Sequence, residues 1–493
     1  MMYNKNKQTA KDNKMTATEN MVQVFAPTDL ASKRLKITNT AKGRKIQISS
    51  NLLPLFGFEK GTPVVEEPLG EGQGYKIMLA EGLPYKNTKI IYSRTYKRRK
   101  NNPFEVLFET ASKKILDSTI PQYCEYIHVT IRFGVMYVKP MINHVAERIA
   151  KVMKAANPFT MFAACSSGID AAAAQEAGFK VESLLEYRPT EKRDKRDLTE
   201  TGVVSAISNV QLSHVFNEDI TQVSTEYLKW ATKDKPSMLF TISLQCDDFS
   251  NVKSNNLKEK SEADLSSTLD MAIDGLRIIE KLQFPMVLLE QVAPFSNSEI
   301  GRMWDLRLRK MGYKTFSQKI DARDHDGLTS RVRFFHFATT LPTEFFWPEQ
   351  TERNQTPIWE TFIKDRIQDF RDITHTSSMK KGIETGRIRP IKEDSLHSPT
   401  PLKSQARQAA DSLVIMEKDG TIRFPDEQLL KDLMGIPQSF NLNGVNKEQG
   451  TEIIGQAVDY PLYKSLIMSI KKHINDFLVK KDEFCLKSFL SAA

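Results

Sequence analysis

The sequence predicts an α/β protein with a mostly parallel sheet, preceded by a smaller β-rich unit. After about residue 157, apolar strand-like runs such as FTMFAACSS, SMLFTISLQ and PMVLLEQV alternate with helical stretches such as DAAAAQEAGF and DMAIDGLRIIEKL. This alternation is typical of βαβ units, whose parallel strands bind ligands beyond their carboxyl ends. Because 493 residues exceed what one hydrophobic core usually serves, we expect several structural units.

The N-terminal third predicts a tail followed by the β-rich unit. Residues 1–33 are polar and lysine-rich, which is typical of a disordered basic tail. Over residues 34–150, β-prone stretches such as LKITNT, RKIQIS, TPVVEE and GYKIML are separated by Gly and Pro. The segment GRKIQISSNLLPLFGFEKGTPVVEE resembles the swapped-hairpin DNA-binding domains of bacterial transition-state regulators and antitoxins. We therefore expect an accessory β-rich region there, with DNA binding as one interpretation.

A basic strip follows in IIYSRTYKRRKNNPF, where five cations stand near Tyr92 and Tyr96. These cations are Arg94, Lys97, Arg98, Arg99 and Lys100. One interpretation is a DNA-binding strip that contacts phosphates and carries stacking aromatic rings. The other is a solvated strand end, and the sequence alone leaves both open.

Composition narrows the class of protein. The formal charge of +9 permits nucleic-acid binding without showing it. No apolar run is long enough to cross a bilayer, and the lysine-rich start has no apolar signal region, so we expect a cytoplasmic protein with no membrane partner. The four cysteines lack metal-ligand spacing, so we expect free thiols and no metal.

Groups that carry chemistry stand at predicted strand ends. Glu186 ends a strand after a small-residue turn and helix, where a carboxylate is able to bind a ribose diol. Cys246 follows FTISLQ, and Glu290 closes the strand FPMVLLE. In GLTSRVRFF, Arg331 and Arg333 share one face of a strand. Each also has a purely structural interpretation. The turn and helix before Glu186 would serve packing, and Cys246 would be an inert thiol. Glu290 would be an ion-paired or helix-capping carboxylate, and the two arginines would face solvent.

Taken together, residues 160–475 resemble the family of DNA cytosine carbon-5 methyltransferases in the order and spacing of these segments. The family's first motif looks like the run from Phe162 to Phe179, and its Pro-Cys-Gln-x-Phe-Ser loop looks like QCDDFS. Its Glu-Asn-Val looks like EQV at Glu290, and its Gln-x-Arg-x-Arg region looks like TSRVR. The segment IIGQAVDYPLYKSL resembles the family's closing Gly-Asn-x-Val helix.

The resemblance implies a class I S-adenosylmethionine-dependent methyltransferase with a Rossmann-like, mostly parallel sheet. It implies a catalytic domain over 155–340, a short target-recognition insertion over 341–410, and a segment over 411–480 that completes the catalytic domain. The implied catalytic residues are Cys246, Glu290, Arg331 and Arg333. The implied cofactor-binding residues are Phe162, Ser167, Gly168, Ile169, Glu186, Tyr187, Asp219, Ile220, Gln456 and Val458, and Ser250 joins the basic strip as DNA-binding.

The resemblance further implies S-adenosylmethionine as cofactor and double-stranded DNA as the partner whose cytosine is flipped out and methylated at carbon 5. A cognate restriction enzyme as a partner and self-association through the N-terminal unit are also consistent with it. In the mechanism it implies, the thiolate of Cys246 adds to carbon 6 while Glu290 acts at N3.

Several residues depart from the family's pattern while the catalytic groups are kept. They are Gln245, Asp247, Gln291, Thr329 and Gln456, and Cys165 and Ser166 stand where the family has glycines. We expect Asp247 to raise the pKa of the Cys246 thiol, which opposes formation of the thiolate. Two alternatives therefore stay open: a catalytically silent methyltransferase-like DNA-binding regulator, and the same chemistry on RNA or on a free cytosine nucleotide.

Overall fold

A computed structural model gives the structure of this chain and describes residues 29–80, 82, 88–97, 104–191, 194–249 and 255–482. The chain divides between Asn143 and His144 into an N-terminal unit and a larger C-terminal unit. Of the predicted tail, residues 1–28 lie outside the described residues. Its last part is ordered, because Ala31 already pairs with Ile131 in a sheet.

The N-terminal unit is rich in β-strands, as the sequence predicts. Its strands are β1 (Ala31–Lys36), β2 (Thr38–Thr40), β3 (Gly43–Ser49), β4 (Pro63–Gly70), β5 (Gly74–Leu79), β6 (Lys89–Ile90), β7 (Tyr92–Thr95), β8 (Phe104–Thr110), β9 (Tyr126–Arg132) and β10 (Val135–Pro140). A 3-10 helix (Leu53–Phe56) and α1 (Lys113–Thr119) complete it.

Two antiparallel sheets make up this unit. One has the order β1-β9-β10-β5-β4-β6, and the other has the order β2-β3-β8-β7. Strands β9 and β10 alternate buried and open residues, so that Ile127, Val129 and Ile131 of β9 enter the hydrophobic core. On the opposite side of these two strands, the side chains are polar except for Val135.

The C-terminal unit is built on a seven-stranded sheet in the order β13-β12-β11-β14-β15-β17-β16. Its strands are β11 (Thr160–Ala164), β12 (Lys180–Leu185), β13 (His214–Phe216), β14 (Leu239–Ser243), β15 (Met286–Val292), β16 (Lys314–Asp321) and β17 (Val332–Thr339). The first five in sequence are parallel, whereas β17 is antiparallel to both β15 and β16. Strand order reverses between β11 and β14, which is where ligands bind in such sheets.

The helices of this unit are α2 (His144–Lys154), α3 (Ile169–Glu176), α4 (Thr201–Ile207), α5 (Thr225–Ala231), α6 (Asn255–Ala263), α7 (Met271–Leu282), α8 (Glu299–Lys310), α9 (Ser377–Glu384), α10 (Glu427–Leu433), α11 (Lys447–Gln456) and α12 (Tyr460–Val479). Short helical turns cover Ala293–Asn297, Ala322–Asp324, Trp359–Ile363, Lys364–Asp369 and Gln405–Arg407. Helix α2 belongs here rather than to the region 34–150, because Arg148 donates hydrogen bonds to Gln283 and to the Met311 carbonyl.

A small second sheet interrupts the unit after β17, where the sequence predicts an insertion. Its strands are β18 (Arg371–Asp372), β19 (Arg389–Ile391), β20 (Leu413–Met416) and β21 (Ile422–Phe424), in the order β18-β21-β20-β19. The sheet therefore runs past residue 410, the expected end of the insertion. The boundary differs because β20 is parallel to β19 and closes the same small core.

Candidate functional site

The site lies at the carboxyl edge of the parallel strands. Ala164, the last residue of β11, stands level with Leu185 of β12 and Ile242 of β14, and Ser243 stands level with Glu290 of β15. The segments that leave these strands therefore start side by side. Polar residues that are far apart in the sequence come together at this edge.

A tight turn joins β11 to α3. Cys165 has a φ of 55° and Gly168 a φ of 101°, both in the left-handed region. A Cβ at Gly168 would come within 2.6 Å of the Ala206 Cα, so α4 packs directly on this glycine. The Ser166 hydroxyl donates to Asp170 and accepts from the Gly168 N–H. The turn thus has a glycine at position 168, where a side chain would clash, and a serine at 166 whose hydroxyl bonds within the turn.

Three carboxylates surround this turn. Asp170, Glu186 and Asp219 all act on the Cys165 thiol, and burial together with their negative charge raises its pKa. Burial, followed by the charge of Asp170, raises the pKa of Glu186 to about 8, and burial raises that of Asp170 to about 6. The charges that act on these two buried acids come from other carboxylates, so this edge favours a cationic or hydrogen-bond-donating ligand.

The segment after β14 forms the thiol-bearing turn. The Phe249 N–H donates to the Cys246 carbonyl at 3.1 Å, and the Phe249 ring packs edge-on against Phe295 at 4.9 Å. The buried Asp248 carboxylate accepts from the Thr268 N–H at 2.8 Å and from the Ser261 hydroxyl at 3.2 Å. Asp248 therefore ties the turn to the segment that precedes α7, and leaves Cys246 half-buried at its tip.

Gln291 holds the same turn from the other side. Its side chain is 1% exposed, and its amide nitrogen donates to the Leu244 carbonyl at 2.8 Å and more weakly to the Gln245 carbonyl at 3.5 Å. A glutamine here thus supports the backbone that leads into Cys246. The replacement of the family's asparagine keeps a side-chain amide in place.

Glu290 and Arg333 form the ion pair of the site. The Arg333 Nε lies 3.1 Å from the Glu290 Oε1, and both side chains are largely but not fully buried. Strand register explains the pairing. Val292 of β15 lies opposite Arg333 of β17, and Glu290, two residues before Val292, points to the same side of the sheet. The arginine fixes the direction of the carboxylate while part of both groups stays open to solvent.

Arg331 lies just before β17 and is 3% exposed. It donates to the carbonyl oxygens of Gly455 and Gln456, the last residues of α11, where a helix end favours a cation. Burial, with the positive charge of Arg333 next, lowers the pKa of Arg331 to about 9. Its Nε has no hydrogen-bond partner among the described residues.

Asp459 supports Arg331 from the start of α12. Its carboxylate accepts from the Thr329 hydroxyl at 3.2 Å and from the Leu462 N–H at 3.3 Å, and thus caps the helix. Burial raises its pKa to about 7, while the charge of Arg331 acts in the opposite direction. Thr329, which replaces a glutamine of the family, therefore links the arginine segment to α12.

The Cys246 thiol responds to these charged groups. Burial raises its pKa first, and the carboxylates of Asp247 and Glu290 raise it further. Arg333 and Arg331 lower it. The direction expected from Asp247 is therefore present, although burial is the larger cause. The opposing cations also show that Cys246, Glu290 and the two arginines share one electrostatic environment.

The structure thus brings the four predicted catalytic residues together and places the predicted cofactor residues unevenly. Ser167, Glu186, Tyr187 and Asp219 line the carboxyl edge near Gly168. The apolar residues Phe162, Ile169, Ile220 and Val458 lie in the hydrophobic interior, and the Gln456 side chain is exposed while its carbonyl binds Arg331. Phe162 differs most from expectation, because it is 1% exposed and packs among the rings of Phe216, Phe240 and Phe284.

Of the six predicted DNA-binding residues, two belong to the N-terminal unit and four lie outside the described residues. Arg94 belongs to the N-terminal unit, where it pairs with Glu109 at 3.4 Å, and Lys97 is exposed. Arg98, Arg99, Lys100 and Ser250 lie outside the described residues.

Sequence reasoning missed the residues that support the site. Asp170, Asp248 and Asp459 are buried carboxylates next to the cofactor turn, the thiol and the arginines respectively. Each lies within three residues of a motif residue, and Asp459 also directly precedes a helix, which it caps. That adjacency is the signal that points to them.

A comparison with protein families decides the class. The family model described as C-5 cytosine-specific DNA methylase matches residues 207–472. This chain belongs to that family. It is therefore a methyltransferase of the C-5 cytosine family, and the predicted family is confirmed. No curated protein matches the chain.

Two solved structures are similar to this chain, and the first of them supports its fold. The Dnmt2 methyltransferase of S. pombe is 14% identical with a TM-score of 0.50, over 64% of this chain and 99% of that one. The methyltransferase EhMeth of Entamoeba histolytica is 13% identical with a TM-score of 0.48, over 65% and 98%. The predicted class I, mostly parallel α/β fold is confirmed, and the cofactor of the family is S-adenosylmethionine.

The donor set at the carboxyl edge fits this cofactor. S-adenosylmethionine carries a cationic sulfonium, an ammonium group and a ribose diol, all of which favour carboxylates as neighbours. Asp170, Glu186 and Asp219 supply three carboxylates around one turn. Within the described ranges, no group of His, Cys, Asp and Glu is arranged to hold a metal ion, and no helix is long and apolar enough to span a membrane.

Proposed function

We propose that this chain methylates carbon 5 of cytosine in DNA through a covalent adduct on Cys246. The observation that carries the proposal is the constellation of Cys246 beside the Glu290–Arg333 ion pair at the carboxyl edge of the sheet. A thiol, a carboxylate and a guanidinium at one edge are the groups that activation of the pyrimidine ring requires. The family's description as DNA methylases supports DNA as the acceptor.

Cys246 acts first in this mechanism. Its thiol loses a proton, and the thiolate lone pair forms a bond to C6 of cytosine. The electrons of the C5–C6 double bond then move into the ring and make C5 nucleophilic. Because burial and Asp247 raise the pKa of this thiol, we expect slow turnover near neutral pH.

Glu290 and the arginines stabilise the charge that develops on the ring. Glu290 would hold a proton at N3, while the ion pair with Arg333 keeps its carboxylate oriented. Arg333 and the buried Arg331 would face the O2 edge of the base. A base must then remove the C5 proton, after which the C6–S bond breaks and Cys246 leaves as the thiolate.

The proposed cofactor-binding residues would each contact a different part of S-adenosylmethionine. When bound, S-adenosylmethionine supplies the methyl group that C5 receives. Glu186 would accept hydrogen bonds from the ribose hydroxyls, and Asp219 would meet the adenine edge. Gly168 allows the backbone of the turn to approach the ligand, and Tyr187 would stack on the adenine ring.

The choice of DNA target sequence would rest on the small sheet formed by β18, β19, β20 and β21. The reactive atoms are unreachable in stacked duplex DNA, so the cytosine must be flipped into the site. The segment that joins β19 to β20 of this sheet lies beside the arginine segment in space, because the Ser330 N–H donates to the Ser398 carbonyl at 2.9 Å. The small sheet is thus placed to present base contacts beside the flipped nucleotide.

Covalent trapping tests this proposal. DNA carrying 5-fluorocytosine has no C5 proton to lose, so the adduct with Cys246 should persist after methyl transfer in denaturing gels. The variant Cys246→Ser should form no adduct, whereas Cys124→Ala, a buried thiol of the N-terminal unit, should trap like the wild type. Trapping that survives Cys246→Ser overturns the covalent assignment.

A comparison of DNA, RNA and a free nucleotide as methyl acceptors tests the choice of substrate. Labelled methyl transfer should be measured with duplex DNA, RNA of the same sequence and free cytidine monophosphate. We expect DNA to be methylated fastest. Faster transfer to RNA or to the nucleotide rejects DNA as the substrate, and no transfer to any of the three indicates a silent regulator.

A further inference from the structure

The N-terminal unit carries a cationic surface that is made of residues other than those of the basic strip at residues 94–100. It is the outer side of β1, β9 and β10, whose opposite side forms the hydrophobic core. We call this side the basic sheet face. Its members are Ser32, Arg34, Lys36, Tyr126, His128, Thr130, Arg132, Val135, Tyr137 and Lys139.

Strand register shows that these residues share one side. Arg34 of β1 faces His128 of β9, and His128 faces Lys139 of β10. Lys36 faces Tyr126, and Thr130 faces Tyr137. Directly opposite residues of an antiparallel pair point to the same face, so these pairs form rows across three neighbouring strands.

The charge on this face is of one sign. The strands read ASKRLK, YIHVTIR and VMYVKP, and contain no Asp or Glu. Arg34, Lys36, Arg132 and Lys139 are all exposed. Among the described residues of the unit, ion pairs join Arg44 with Asp117, Lys45 and Arg94 with Glu109, and Lys89 with Glu66. The pair of Lys76 with Glu67 borders the face, because Lys76 of β5 lies opposite Tyr137.

Aromatic rings stand among these cations. The Arg34 guanidinium lies 4.0 Å from the centre of the Tyr126 ring, and this contact holds the arginine on the face. Tyr137 is half-buried in the middle of the same face. Cations interleaved with tyrosines on an open sheet are the surface chemistry that binds phosphates and stacks bases.

The dimensions suit a nucleic-acid strand. Three strands span about 10 Å across, and the six steps from Tyr126 to Arg132 span about 20 Å along the strands. Because duplex DNA carries one phosphate per about 3.4 Å of each strand, about six phosphates fit along this length. We propose that the basic sheet face binds the sugar–phosphate backbone of a nucleic acid.

This inference rests on the proposed function only in that the substrate is a nucleic acid. A tethered second binding surface would raise the local concentration of substrate for the C-terminal unit. Nucleic-acid binding at this face would also give a role to the N-terminal unit, which carries none of the proposed catalytic residues.

Fluorescence anisotropy with the full chain tests the proposal. The probes are a fluorescein-labelled 24-nucleotide DNA strand, its duplex and RNA of the same sequence, each titrated at several KCl concentrations. Arg34→Glu/Lys139→Glu reverses two charges on the face, and Lys113→Glu/Lys114→Glu reverses two exposed charges of α1 as a matched control. A second pair, Lys36→Glu/Arg132→Glu, guards against misfolding of the first, and circular dichroism checks all three.

We expect both face variants to bind about tenfold more weakly than the control, with a salt slope reduced by about 1.4 to 1.8 because two phosphate contacts are lost. Affinities equal to those of the control overturn the proposal, and so does a wild-type chain that binds none of the probes. Trapping on 5-fluorocytosine DNA at saturating concentration is measured separately. The face variants should still trap, so failure of trapping in the wild type counts against the catalytic proposal alone.

Discussion

The Arg333 Nε lies 3.1 Å from the Glu290 Oε1, and this pair joins β15 to β17 at the point where Cys246 stands. Two strands that are distant in the sequence are thereby joined, and the charges of both partners act on the pKa of the Cys246 thiol, after burial and Asp247. An arginine in this position keeps the carboxylate oriented even before a base enters.

Replacement of Glu290 should remove most of the turnover. We expect Glu290→Gln to lower kcat by about 10²- to 10⁴-fold, the range typical of a lost proton-transfer group. Steady-state transfer of labelled methyl to DNA measures this. Glu280→Gln, which removes an exposed ion pair with Arg307, should leave kcat unchanged. A decrease below threefold for Glu290→Gln would show that the carboxylate is not needed.

Asp247 should shift the pH dependence of the thiol. Its carboxylate raises the pKa of Cys246, so Asp247→Asn should lower that pKa and move the rise in reactivity to lower pH. The rate of iodoacetamide labelling of Cys246 against pH measures the shift. Asp234→Asn, at an exposed position, should leave the profile in place. A profile that stays unchanged in Asp247→Asn contradicts the electrostatic argument.

Glu186 should make stability depend on pH. Its folded pKa of about 8 lies above the ordinary value of about 4.3, so the folded state retains a proton that the unfolded state releases. The contribution is fully present below about pH 4 and is lost as pH rises through 8. Urea unfolding should therefore show a lower free energy of unfolding at pH 9 than at pH 6.

Glu186→Gln tests the source of this dependence. The difference between the two pH values should shrink, although Asp170 retains part of it because its pKa is also raised. Glu384→Gln, at an exposed helix end, should keep the wild-type difference. An undiminished difference in Glu186→Gln assigns the effect to other groups.

Gly168 should tolerate no side chain. Alanine at a φ of 101° costs about 1–2 kcal/mol by conformation alone, and its Cβ would meet the Ala206 Cα at 2.6 Å. We expect Gly168→Ala to lower both the free energy of unfolding and the affinity for S-adenosylmethionine. Gly420→Ala is the matched control, because Gly420 has a φ of 90° with nothing within 4 Å. Equal losses in the two variants would remove the packing argument.

The sequence predicted the parallel sheet, and it pointed to the four candidate catalytic residues because polar residues at strand ends are recognisable in a sequence. Cys246, Glu290 and Arg333 each stand directly beside an apolar run. It did not predict how these groups are held, since Gln291 reaches the Leu244 carbonyl and Asp459 reaches Thr329 only through the fold. Phe162 shows the same limit, because its burial depends on the rings of two other strands, Phe216 and Phe240, and on Phe284 just before β15.

The segment after the first half of the small sheet is joined to the arginine segment by a short parallel bridge between Thr329 and Ser398. The Ser398 N–H donates to the Leu328 carbonyl at 2.8 Å, and the Thr400 hydroxyl donates to the Ser330 carbonyl at 2.9 Å. The small sheet is therefore not a detachable module. An exchange of this sheet between related enzymes would have to retain residues 398–400, since otherwise Arg331 loses the backbone that sets its position.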